Sequence, residues 1–171
     1  MKVWFFIAVG VYIFLAIIGA RDAAYMDLET KRAFFSNRIS LLIVLAVVTG
    51  AGFFFGFVKL FPKGWSHQKF FVKILLPVIF LGSAFGINRG IAFFANSYTG
   101  NQQDILITGK VAGKYSEKKR RGYDYFLLVV DTNGRPFTFE VSEEAFNETP
   151  EGHFNKQFTI GSLGIIYRRK I

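Results

Sequence analysis

Residues Ile39 to Val58, ISLLIVLAVVTGAGFFFGFV, form a run of twenty without a charge, closed by Arg38 on one side and Lys59 on the other. As a helix rising about 1.5 Å per residue it would be about 30 Å long, the depth of a bilayer's hydrocarbon core. A helix apolar on every face has no side to turn to water, so the run predicts a membrane span.

Two further runs repeat the signal. Val3 to Ala20 is uncharged over eighteen residues and follows Lys2. A basic start and an apolar middle also suit a signal peptide, but Ile18 is a poor fit to the small residue wanted before a cut after Ala20, so the run is read as a retained span. The third covers residues 70–95, where fifteen uncharged residues separate Lys73 from Arg89 and Pro77 predicts a kink. Lys73 can snorkel to the interface, and Arg89 either does the same or faces the bundle interior beside Asn88.

Small residues suggest how the spans meet. Gly52 and Gly56 lie four apart on one helix face, as do Gly82 and Gly86, with Gly90 extending the second pair and Ala16 with Ala20 a weaker face in the first span. Such spacing lets helix backbones approach closely. It predicts a packed three-helix unit, within one chain or between copies in a homo-oligomer. Between the spans, residues 21–38 read as a short interfacial helix or a solvated loop, with Ser36 or Asn37 as the N-cap of the second span. Residues 59–73 are a basic linker broken at Pro62 and Gly64, with Trp65 suited to the interface and His67 without ligands beside it.

The net charge is +9 over 171 residues, and residues 1–100 carry +7 of it. Most of that excess flanks apolar runs, where Lys and Arg meet lipid headgroups; the lipid bilayer is therefore the expected partner, and nucleic acid is not. With no cysteine, thiol chemistry and thiolate metal sites are excluded.

After Ser97–Gln103, a polar linker, the pattern turns to β. Strands are expected at 104–112, 123–131, 137–141, 154–160 and 163–169. Asn133-Gly134 predicts a two-residue type I′ hairpin, and Ser142 caps a helical turn through Phe146. The expected architecture is α+β: transmembrane spans at 3–20, 39–58 and 70–95 within residues 1–96, then a small five-stranded barrel of OB or SH3-like kind over 104–171, with an open meander as the alternative.

Catalytic patterns are lacking. His153 stands alone beside Gly152, Glu143 and Glu144 diverge on a helix, and no GxSxG, HExxH or phosphate-loop motif occurs. No enzyme activity, metal or cofactor is expected. The basic run Lys118, Lys119, Arg120 and Arg121, flanked by Tyr115, Tyr123 and Tyr125, is read as an exposed loop, either a solvated hairpin tip, the favoured reading, or a surface for an anionic partner. Lys and Arg divide evenly between the two faces, and the acid-free second linker tilts the expectation toward a cytoplasmic N-terminus and an extracytoplasmic β domain.

The segments Ile107-Thr108-Gly109-Lys110-Val111, Tyr123–Asp131, Phe139-Glu140-Val141-Ser142, Glu151-Gly152 and Phe158-Thr159-Ile160-Gly161-Ser162-Leu163-Gly164-Ile165 carry a resemblance. They resemble small bacterial multi-pass membrane proteins that end in a small β-barrel domain. That family has no established activity, so the resemblance implies a fold and no site residues. The expected role is a non-enzymatic inner-membrane protein whose β domain binds a protein partner or envelope complex. The alternative is an immunity protein that neutralises a secreted toxin at the membrane or in the periplasm. A third reading, an ion path through oligomers, has only Thr49, Ser83, Asn88 and Arg89 to line it.

Overall fold

The computed structural model describes residues 2–120 and 122–168. Three of its helices are long and apolar enough to cross a membrane: α1 (Lys2–Asp22), α2 (Leu28–Leu60) and α4 (Phe70–Tyr98), with the short α3 (Pro62–Ser66) between the last two. They are followed by a curled antiparallel half-barrel of five strands: β1 (Gln103–Lys119), β2 (Gly122–Asp131), β3 (Pro136–Val141), β4 (Gly152–Ile160) and β5 (Ile166–Tyr167). Helix α5 (Glu143–Glu148) lies between β3 and β4, and the strand order is β3-β2-β1-β4-β5.

The chain folds as two compact units whose composition the sequence does not announce. One holds Met1–Arg21 and Arg38–Phe94, the other Asp22–Asn37 and Ala95–Ile171. The polar stretch 22–37, expected as a short helix or a loop, is helical from Leu28 and belongs to the β unit. The helix begins at Leu28, and its backbone leaves helical geometry at Arg38 (φ −124°, ψ 17°), directly after Ser36 and Asn37 and at the boundary of the two units. The expected linker 97–103 shrinks to four residues, since α4 continues to Tyr98 and β1 starts at Gln103.

In the helical unit the close approaches fall on Gly90 and Ala16, which the small-residue spacing predicts, and on Gly19 and Gly50, which it does not. A Cβ at Gly19 would overlap the Gly90 carbonyl, and one at Gly90 would overlap the Ala16 carbonyl. At Gly50 it would stand 3.0 Å from the Leu81 side chain. Of the four glycines predicted to pack, Gly56 alone is covered, by the Phe5 ring; at Gly52, Gly82 and Gly86 there is open space. α1 and α4 approach most closely at Gly19–Gly90, at the far end of the face that Gly82 and Gly86 share with Gly90. The three helices also share a polar clasp. Tyr12 donates to the Asn88 carboxamide oxygen, and the Asn88 amide donates to Thr49 Oγ1 at 3.4 Å. Asn88 is buried while Arg89 is exposed, so Arg89 points away from the bundle and Asn88 into it.

In the β unit, Ile107, Val111, Leu127, Val129, Phe137, Phe139, Phe154, Phe158 and Ile166 form one apolar cluster on the concave face. Phe139 of β3 stacks on Phe158 of β4 at 4.3 Å between ring centroids, although those strands are not neighbours in the sheet. That contact spans the curl. β1 is longer than expected, running beyond Ala112 to Lys119 through an irregularity between Val111 and Gly113, and Gly109 lets the Val130 carbonyl approach where a Cβ would collide with it. Asn133-Gly134 does not make a type I′ turn: only Gly134 takes positive φ (+80°), and the Asp131 amide bonds the Arg135 carbonyl across a three-residue loop. The Asp131 carboxylate accepts the Asn133 and Arg135 amides at 2.8 Å each, which favours that longer turn. Ser142 accepts the Ala145 amide and caps α5, the local cap its sequence predicts.

Candidate functional site

The half-barrel is closed by a segment that precedes it by some eighty residues in sequence. Met26 pairs antiparallel with Tyr167 of β5, flanked by hydrogen bonds from the Asp27 amide to the Ile166 carbonyl (2.8 Å) and from the Arg168 amide to the Tyr25 carbonyl (3.0 Å). The Asp27 carboxylate then reaches the opposite edge. One oxygen accepts the Thr30 amide at 2.8 Å, capping α2, and the other accepts the Thr138 amide of β3 at 2.7 Å. Residues 25–27 thus stand between β5 and β3, where a closed barrel would pair strand with strand. Met26 and Asp27 are fully buried. Burial pushes the Asp27 carboxyl above its ordinary value of 3.8, while the Thr30 and Thr138 amides pull it part of the way back.

A second clasp fixes the other end of β5. The Asn96 carboxamide oxygen accepts the Leu163 and Ile165 amides (3.1 and 3.2 Å), and its NH2 donates to the Ile165 carbonyl at 3.0 Å. These bonds shorten the last strand. Of the expected strand 163–169, Leu163–Ile165 is held by a side chain, Ile166–Tyr167 forms β5, and Arg169 lies outside the described residues.

The predicted basic loop is a ribbon instead. β1 pairs with β4 only as far as Val111, and β2 pairs with β3 only from Tyr125 onward. Gly113–Lys119 and Gly122–Asp124 therefore project as two strands beyond their neighbours. Lys118 and Lys119 lie in β1 and Arg120 in the turn, while Arg121 lies outside the described residues. Tyr115 and Tyr123 are exposed beside them, and Lys119 forms an ion pair with Asp124 at 3.1 Å. The ribbon is chemically a mixed surface: cations and phenols, with Glu117 and Asp124 interspersed.

Two hollows on the β unit are lined by both Tyr25 and Arg168. On the concave side, Phe139, Phe154 and Phe158 line one together with Tyr25, Glu140, Lys156 and Arg168. Lys156 alternates with Phe154 and Phe158 along β4 and so shares their face; burial and the nearby Arg168 push its ammonium below the usual lysine range. The other is a cleft of about 440 Å³ walled by Asp22, Tyr25, Ser97, Tyr98, Gln102, Tyr167 and Arg168. Of the residues weighed for catalysis, His153 and Glu143 are exposed and lie on different elements, and no group of three metal-ligating acids or histidines occurs among the described residues.

Sequence reasoning missed Asp27, Asn96 and Asp22. Asp27 before Leu28-Glu29-Thr30 is a legible N-cap pattern, but its second partner, Thr138, is beyond any local signal. No protein-family model, curated protein or solved structure matches the chain.

Proposed function

We propose that this chain is a non-enzymatic membrane-held binding protein, anchored by α1, α2 and α4, whose β domain is of the OB kind and captures a protein partner on the β1–β2 ribbon. The observation that carries this reading is the ribbon itself. An exposed two-stranded arm bearing Tyr115, Tyr123, Lys118 and Arg120 contributes little to the apolar core, and aromatic and basic residues are what recognition surfaces enrich. The OB assignment rests on the bulged first strand shared between β2 and β4, and on a helix between β3 and β4. The membrane reading draws support from the β unit's two-part construction. Two crossings between residues 37 and 95 return the chain to the face it left, as a domain built from both segments requires. In a bacterial inner membrane the acid-free basic linker 59–73 tilts this domain toward the extracytoplasmic face.

The test is photo-crosslinking from position 123 in intact cells, with the double variant Lys118→Glu, Arg120→Glu as comparison. A discrete adduct that the charge-reversed variant loses is the expected result. A ribbon that yields no adduct, or the same adduct after charge reversal, contradicts it.

A further inference from the structure

The cleft beside the ends of α1 and α4 holds two buried polar atoms, Asp22 Oδ2 and Ser97 Oγ, that have no hydrogen-bond partner among the described residues. Such atoms are costly to leave unpaired unless something fills the space and bonds to them. Asp22 is also badly placed for a structural role. It ends α1, where the helix dipole disfavours an anion, and it stands at the N-cap position of the 3-10 turn Ala23–Tyr25 without making the cap bond. Ser97 is left over too, since the neighbouring network runs past it: Tyr167 donates to Gln102 Oε1 at 2.9 Å, and Gln102 donates to the Ser97 carbonyl at 2.6 Å. Across the same cleft lies Arg168, whose guanidinium has no ion pair among the described residues. The walls between are the rings of Tyr25, Tyr98 and Tyr167.

An unmet carboxylate oxygen wants an N–H or O–H donor, and a guanidinium without an acid wants an oxyanion. One molecule that carries both is a primary amine joined to a phosphate. We propose that this cleft binds an aminoethyl phosphate zwitterion, its ammonium donating to Asp22 Oδ2 and its phosphate oxygens accepting from Arg168, with Ser97 Oγ completing either end. The source favoured by position is the headgroup of an ethanolamine phospholipid. Asp22 and Tyr98 are the terminal residues of two helices long enough to span a bilayer, and tyrosine belongs at the headgroup level. That choice of source rests on the membrane reading above; the charge complementarity does not.

The experiment uses the full chain purified in a maltoside detergent. Binding of dihexanoyl phosphatidylethanolamine, dihexanoyl phosphatidylcholine, free phosphoethanolamine and free phosphocholine is measured by native mass spectrometry and calorimetry. Each ethanolamine probe that binds is expected to bind about tenfold or more tightly than its choline counterpart, which has no N–H to offer. Asp22→Asn is expected to remove that preference, and Arg168→Gln to weaken both lipids alike. Equal affinity for ethanolamine and choline headgroups overturns the proposal, and so does an unchanged preference in Asp22→Asn. Preference confined to the lipid identifies a bilayer headgroup; equal competition by free phosphoethanolamine identifies a soluble amine phosphate. Alkaline extraction of cell membranes tests the membrane reading separately: a chain released by it is not spanning, while the soluble probes still decide the cleft.

Discussion

The Asp27 carboxylate accepts the Thr138 amide at 2.7 Å across 111 residues of sequence, and in the same position caps the helix that begins at Leu28. One buried side chain thereby joins the start of the second long helix to an edge strand of the half-barrel. Replacing it leaves two amides without acceptors, one of them in the interior. Asp27→Ala is expected to lower unfolding stability by about 2–4 kcal/mol, the sum of a lost cap and an unpaired buried donor. Asp27→Asn keeps one acceptor and should cost less. Denaturant titration of the full chain in detergent, followed by the circular dichroism of the β unit, measures both.

The same residue sets a pH dependence. Its folded-state carboxyl titrates above 3.8 because burial disfavours the charge, so over the window between 3.8 and that raised value the folded chain holds a proton the unfolded chain has released. Stability attributable to Asp27 is therefore greatest at the acid end of that window and falls as pH rises through it, then levels off. Glu140, also raised by burial and by the nearby Asp124, contributes in the same direction. Thermal midpoints measured across that range should show the decline in the native chain and a shallower one in Asp27→Asn.

Within the helical unit the expectation is a sharp contrast between glycines. Gly90→Leu drives a side chain into the Ala16 backbone and should destabilise the unit by about 1–3 kcal/mol or more, whereas Gly82→Leu meets open space and should leave the monomer's stability unchanged. Asn88→Leu, which breaks the bonds to Tyr12 and Thr49, should cost about 0.6–1.7 kcal/mol. Thermal unfolding in detergent measures all three.

Much of the architecture was legible because it follows from local rules. The three apolar helices come directly from uncharged runs, the strands of the β domain from alternation such as Phe137, Phe139 and Val141, and the α5 cap from Ser142. What escaped was non-local. Nothing near Gly52 or Gly82 tells which glycine faces a neighbour, since that depends on how far one helix slides along another. Residues 22–37 read as a surface helix or loop because the burial of Met26 and Asp27 comes from β3 and β5, more than a hundred residues away. The ribbon was seen as a charged loop because lysine-rich sequence disguises strand, yet β2 offers Lys118 and Lys119 a paired backbone. The cleft at Asp22 leaves no sequence trace at all; its walls come together only after α1, α4 and β5 have formed.

The central claim is that residues 25–27 complete the β domain. Met26 and Tyr167 are a non-hydrogen-bonded antiparallel pair, the kind whose side chains lie closest, and the chain contains no cysteine to interfere. The direct measurement is oxidative crosslinking of the full chain carrying Met26→Cys and Tyr167→Cys, with Met26→Cys and Tyr123→Cys as the control pair. The structure predicts rapid, near-complete disulfide formation in the first pair and none in the control, read as a mobility shift on a non-reducing gel. A first pair that stays reduced in folded protein, or a control that oxidises equally well, would contradict the closure of the half-barrel by this segment.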